Sequence, residues 1–170
     1  MAEQDSARKR RTTAAAQYRP REVRLLLIAE APPSALDRYF YFEDVTEQDG
    51  LFRYVVRAVL AEEPSRGDKA GQLRRLCDNG VFLIDLKTDP KIGDESLAPF
   101  VPDLVQRALA LHPEHVITIK ANVCDLTQPA LCAAGLDVTD ERVPFPGTGQ
   151  QRRFLEHMGR ALDSISWRAR

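Results

Sequence analysis

The groups of this chain best able to hold a charge, move a proton or grip a phosphate gather in a few short stretches. Glu30-Ala31-Pro32-Pro33-Ser34 carries one carboxylate, and Asp37, Glu43 and Asp44 follow closely. A loop carboxylate can serve as a general base or face a developing positive charge; it is equally suited to be a solvated surface group, and Asp37 also suits a helix N-cap. Asp85 stands near the end of an apolar run, where an acid either caps the next loop or reads a ligand. Lys120-Ala121-Asn122 offers an amine, which becomes a Schiff-base nucleophile only where burial lowers its pKa. Pro144-Phe145-Pro146-Gly147-Thr148-Gly149-Gln150-Gln151-Arg152-Arg153 joins a rigid turn to two guanidinium groups. Backbone donors at the start of a following helix would favour an anion such as a DNA phosphate, and the plain alternative is an exposed helix start with no partner.

The elements that must position these groups follow from hydrophobic patterning. Residues 23–29, 81–86 and 115–120 are nearly continuous apolar runs of strand length, and residues 141–143 form a shorter fourth. Continuous runs suit a parallel sheet covered on both faces. Between them, Leu51, Tyr54, Val55, Ala58 and Val59 recur at helical spacing, as do Leu73, Leu76 and Cys77 before a stop at Asn79-Gly80. A helix carrying Leu104, Val105, Ala108 and Leu109 is expected to begin at Pro102. Asn122 opens a segment that Pro129 interrupts and Gly135 ends, and Thr148 with Gln151 has capping-box spacing ahead of Phe154, Leu155, Met158, Ala161 and Leu162. The alternation predicts an α/β fold, a three-layer α/β/α sandwich with a central four-stranded parallel sheet. Ligands of such sheets bind beyond the carboxyl ends of the strands, which is where the stretches above fall.

Composition bounds the rest. A chain of 170 residues with 44% hydrophobic and 29% charged residues fits one soluble domain, placed at residues 21–170. Residues 1–20 hold the basic run Arg8-Lys9-Arg10-Arg11 without hydrophobic periodicity and are expected to form a flexible basic tail. A net charge of −1 excludes a whole-molecule field for nucleic acid, so any DNA contact must be a local patch. No apolar run approaches the roughly 20 residues of a membrane helix. Cys77, Cys124 and Cys132 have neither disulfide arithmetic nor metal-ligand spacing, so no metal or other cofactor is expected, and a reduced cytoplasmic setting is. A monomer is expected.

Ile28-Ala29-Glu30-Ala31-Pro32-Pro33 resembles the first motif of the uracil-DNA glycosylase superfamily, written G-E-A-P-G in its thermostable iron–sulfur branch. Val143-Pro144-Phe145-Pro146-Gly147, followed by Gln150-Gln151-Arg152-Arg153-Phe154, resembles the second motif, H-P-S-P or N-P-S-G. Between them, Leu97-Ala98-Pro99-Phe100-Val101-Pro102 leading to Leu111-His112-Pro113-Glu114-His115-Val116-Ile117 is similar to that branch's helix and central strand. The resemblance runs in order from about residue 23 to about residue 158 and departs at two telling places. Ala31 stands where many members have the Asp or Asn that positions water, and Val143 where many have the His that stabilises the departing base. The iron–sulfur cysteines are absent too.

The resemblance implies a divergent DNA glycosylase-like protein hydrolysing the N-glycosidic bond of a flipped damaged or deaminated base; alternatively, a non-catalytic relative that kept the pocket and binds DNA or a free nucleobase. It implies Glu30 and Asp37 as the acids of the reaction, with Glu30 at the pocket mouth. Ala31, Pro32, Phe42 and Asp85 would contact the base, and Pro144, Phe145, Pro146, Gly147, Gln150, Arg152 and Arg153 the DNA. Within Tyr39-Phe40-Tyr41-Phe42 one ring would stack on the base; otherwise the run seals the core or the sheet edge. Asp85 aligns with the family's uracil-reading Asn. An ionised Asp only accepts, which suits an exocyclic amine as in cytosine, whereas a protonated carboxyl can both donate and accept.

Overall fold

In the computed structural model, which describes residues 2–45 and 49–170, the chain is a mixed α/β protein. Its sheet has three parallel strands, β1 (Leu25–Ala29), β2 (Val81–Asp85) and β3 (His115–Thr118), in the order β2-β1-β3. The central strand is buried throughout, as its uninterrupted Leu-Leu-Leu-Ile-Ala run requires. Leu25 pairs with Val81 and His115, Ala29 with Asp85 and Ile28 with Thr118, so all three strands point the same way and end within one residue of each other.

The described residues hold six α-helices: α1 (Ala2–Gln17), α2 (Gly50–Val55), α3 (Lys69–Asp78), α4 (Val101–Ala110), α5 (Ala121–Ala133) and α6 (Gln151–Ser164). A π-helical turn, Val56–Leu60, prolongs α2. Around it pack α3 and α6, with α3 also resting on β2, while α4 packs on α5 and α5 on β3. Phe154, Met158 and Ala161 of α6 and Phe52, Val55, Val56 and Val59 are buried at helical spacing. Where α3 hands over to β2, Gly80 takes φ +76°, and a Cβ there would come within 2.9 Å of the Glu22 carbonyl oxygen. Only glycine fits such a turn.

Several sequence expectations need correction. The fourth strand is reduced to two isolated parallel bridges, Val116 to Val138 and Ile119 to Val143. The two bridges lie three positions apart on one side (Val116 to Ile119) and five apart on the returning chain (Val138 to Val143), so the intervening segment bulges and the ladder cannot run on. Residues 2–17 are helix rather than flexible tail. They dock mainly through ion pairs and ring contacts, with Ala14 and Ala15 against the core: Arg8 and Arg11 pair with Asp89, the Arg10 guanidinium lies over Phe42, and just after the helix the Tyr18 ring stacks on Tyr41. Hydrophobic periodicity is blind to a helix held this way. Pro129 sits inside α5 on its exposed side without ending it. The capping-box spacing at Thr148 is not used, because α6 begins at Gln151 after a turn through Gly149 at φ +75°, with no side-chain cap.

Candidate functional site

The ends of the three strands are knitted into one edge by backbone hydrogen bonds. Leu86 N–H donates to the Ala29 carbonyl at 2.8 Å and Lys87 N–H to that of Glu30 at 3.0 Å. On the other side, Ile119 N–H reaches the Ile28 carbonyl and Lys120 N–H the Val143 carbonyl, both at 2.8 Å. Residues 30, 85, 120 and 143 therefore share the carboxyl edge of the sheet, where an open parallel sheet presents ligands.

Glu30 is engaged there by two residues from the start of α5. Lys120 Nζ donates to Glu30 Oε2 at 2.5 Å and Asn122 Nδ2 to Oε1 at 2.9 Å. Partial burial pushes the carboxyl's pKa up, but the hydrogen bonds from Lys120 and Asn122 and the charges of Lys120 and Lys91 outweigh it, so Glu30 sits below its ordinary value. It is a firm anion and a weak base. Lys120 links β3 to α5 with φ 86° and ψ 131°, a conformation that non-glycine residues rarely hold. Its side chain is 42% exposed and salt-bridged, the opposite of the dry setting a Schiff-base lysine needs.

Asp85 ends β2 opposite Ala29. Burial raises its pKa to about 7, against the lowering pull of Arg107 and Arg11. No described residue gives its carboxyl a hydrogen bond. Arg107 instead donates to the backbone carbonyls of Asp85 and Leu86, each at 2.9 Å, tying α4 to the strand end. Tyr39 lies near enough that the Asp85 charge adds to the burial that pushes its hydroxyl pKa well up. Asp85 is thus a sheltered carboxyl that changes charge near neutral pH, a combination frequent at functional sites.

The remaining expected site residues divide. Ala31 and the buried Pro32 follow Glu30 directly at this edge. Asp37 lies apart from it: with Arg10, Ala14, Gln17, Leu36, Phe42 and the acids Glu43 and Asp44 it lines a cleft of about 510 Å³ against α1. Tyr39, Phe40 and Tyr41 are buried in the core. Tyr41 seals the free edge of β2, its hydroxyl accepting from Leu83 N–H at 2.7 Å and donating to the Leu83 carbonyl at 2.9 Å. Phe42 is half-buried beneath Arg10 and faces that same cleft. In the second proline loop Pro146 is buried while Phe145 stays 45% exposed, one of the few large apolar side chains left in solvent. Gln150 accepts from Arg153 at 3.4 Å, and Arg152, its side chain 89% exposed, lies 3.4 Å from Glu156.

Arg107 and Lys91, which also bear on this edge, carried no distinguishing sequence signal, and Arg11 stood out only as part of the basic run at residues 8–11. Each is one basic residue among many until the fold brings it to the strand ends. Among the described residues no group of three His, Cys, Asp or Glu is placed to hold a metal ion, and no helix is long and apolar enough to cross a membrane. Compared with known proteins, the chain matches no family model and no curated protein.

Proposed function

We propose that this chain is a divergent DNA glycosylase-like protein that receives a flipped base at the carboxyl edge of its sheet, with Asp85 reading the edge of that base. The observation that carries this reading is the Asp85 carboxyl: it stands at the ligand end of a parallel strand, is half-titrated near pH 7, and has no hydrogen bond from any described residue. A half-buried carboxyl at the ligand edge with no protein hydrogen bond is open to a partner from a ligand. Ionised, it accepts from an exocyclic amine; protonated, it can also donate. The parallel bridges at Val138 and Val143 support the sandwich with a fourth strand position that the family resemblance implies. Phe145, exposed between two prolines, suits stacking or insertion beside an extruded nucleotide, and Arg152 and Arg153 suit phosphate contact.

In hydrolysis, water bonds to the anomeric carbon of the sugar, the base leaves with the glycosidic electron pair, and the proton lost by the water passes to the departing base. Glu30, held ionised by Lys120 and Asn122, would stabilise the positive charge on the sugar rather than strip a proton from water. With Ala31 and Val143 offering no polar group, release of plain uracil is expected to fall on the order of 10²–10³-fold per missing contact below an ordinary uracil glycosylase. A second reading, a binder that kept the pocket and lost the chemistry, is favoured by two observations: Glu30 is already paired with Lys120, and Asp37 lies in a different cleft.

Two measurements test these readings. Titration with free bases should show Asp85→Asn shifting the relative affinity for uracil over cytosine by roughly tenfold toward uracil, the size of one matched against one mismatched buried hydrogen bond. Unchanged preference would make Asp85 a structural cap. Oligonucleotides carrying uracil, hypoxanthine, xanthine or mismatches then separate enzyme from binder. Slow base release abolished by Glu30→Gln supports the enzyme, and binding without release on every substrate supports the binder.

A further inference from the structure

A helix that docks by surface ion pairs has no need to bury a guanidinium, yet α1 buries Arg11, which is 5% exposed. Its Nε meets no acceptor among the described residues, and the one hydrogen bond it makes is a long one, 3.4 Å from Nη2 to Asp89. Asp89 does not require it, since Arg8 already grips that carboxylate through both Nε and Nη2. A guanidinium has five N–H donors in a planar fork, and sheltering even one of them unmatched is costly.

Its position gives those donors a use. The Tyr18 ring at the end of α1 stacks on Tyr41 at 6.3 Å, and the Tyr41 hydroxyl holds both backbone groups of Leu83, two residues before Asp85. Asp89, the contact of Arg11, lies four residues after Asp85. The helix therefore lies along the outer edge of β2 and sets Arg11 beside the strand end, where its charge acts on both Asp85 and Tyr39. A buried guanidinium with an unmatched Nε and a half-buried carboxyl that accepts no hydrogen bond from the described residues stand at the same strand end.

We propose that Arg11 is a specificity-determining residue of the Asp85 site, its guanidinium donating to a ring acceptor of the bound base while Asp85 accepts from the amine beside it. This rests on the reading of Asp85 as the residue that reads the base. The ligand class is an amino-bearing nucleobase such as cytosine, whose ring nitrogen acceptor adjoins its exocyclic amine. The opposite charges of the two side chains offset each other, so a neutral base can be enclosed without stranding a net charge. The N-terminal helix, which looks like a dispensable basic tail in sequence, then completes the site.

Calorimetric titration of cytosine into the full-length protein tests this, using wild type, Arg11→Gln, Arg11→Lys, Arg8→Gln and Asp85→Asn. Arg11→Gln is expected to weaken cytosine binding about tenfold, as is Asp85→Asn. Arg11→Lys keeps the charge without the fork and should recover only part of the loss; it also carries the test if Arg11→Gln folds poorly. Arg8→Gln, on the same helix and with the same Asp89 contact, should bind as wild type does. A carboxyl-carbon NMR titration of Arg11→Gln should show the Asp85 pKa rising as the neighbouring cation is lost. Cytosine bound equally by wild type and both Arg11 variants, with Asp85→Asn still weakened, overturns the role of Arg11 and leaves the base-reading site standing. Loss of any Asp85 effect, or no cytosine binding by wild type, overturns both.

Discussion

Asp85→Asn is expected to remove about 4 kcal/mol of pH dependence from the protein's stability between pH 4 and pH 7. The folded chain holds the Asp85 proton to about pH 7, whereas the unfolded chain releases it near the ordinary value of 3.8. Across that window the folded state binds more protons than the unfolded one, so stability falls as pH rises and levels off above 7. Carboxylates held below their ordinary values, such as Glu30, Asp89 and Glu141, act with the opposite sign: their contribution is present above the unfolded pKa and is lost as pH falls through the folded one. They are common to both proteins and cancel in the comparison. At pH 8 the asparagine variant should be the more stable by about 1–3 kcal/mol, because its unpaired amide returns roughly 1–3 kcal/mol of the gain. Urea unfolding of both proteins at pH 4, 5.5 and 8 reads the effect. Parallel stability profiles would show that Asp85 is an ordinary ionised acid, and the case for a base-reading carboxyl would go with them. A net gain means that the native residue costs stability, as binding groups commonly do.

Lys69→Met should destabilise the protein by about 3–5 kcal/mol, the cost of stranding one member of a buried ion pair. Lys69 and Asp49 are 2% and 6% exposed, and Nζ lies 2.8 Å from Asp49 Oδ2. Burial pushes the Asp49 carboxyl up and the Lys69 ammonium down, and each partner's charge pulls the other back toward ionisation. The pair also does structural work. Asp49 caps α2 by accepting from Phe52 N–H at 3.2 Å, while Lys69, at the start of α3, donates to the Tyr39 carbonyl at 3.3 Å and sits 4.5 Å over the Phe52 ring. Removing the ammonium leaves Asp49 charged and dry, or protonated and a poorer cap. The double variant Lys69→Met, Asp49→Asn should recover much of the loss, since a neutral pair carries no desolvation penalty. Thermal or urea unfolding of the two variants checks both statements, and a single variant within 1 kcal/mol of wild type would show that water reaches the pair.

What sequence alone determined is the part of the molecule set by local physics. Leu25 to Ala29, Val81 to Asp85 and His115 to Thr118 are strands because uninterrupted apolar runs are stable only in a covered parallel sheet. Gly80 stops α3 where a left-handed residue is required, and proline stands in the first turn of α4. From strand direction alone, Glu30, Asp85, Lys120 and the loop after Val143 belong at one edge. Which groups meet there was left to the tertiary structure. Glu30 and Lys120 pair across ninety positions of sequence, and that contact turns a candidate base into a fixed anion. Asp85 owes its titration near neutrality to burial, a property of the packed neighbours and not of the residue type. The aromatic run could have lined a pocket or sealed the core; three of its rings went inward, because the free edge of β2 needed the Tyr41 hydroxyl. The N-terminal helix left no periodic hydrophobic trace since, apart from Ala14 and Ala15 against the core, ion pairs and ring contacts hold it, and such contacts have no period along a chain. The returning segment after α5 failed to become a full strand for a reason of register: a span of five positions cannot lie in ladder against one of three. Periodic apolar burial is written locally and can be read locally; polar pairing, protonation and register depend on partners that only the folded chain brings together.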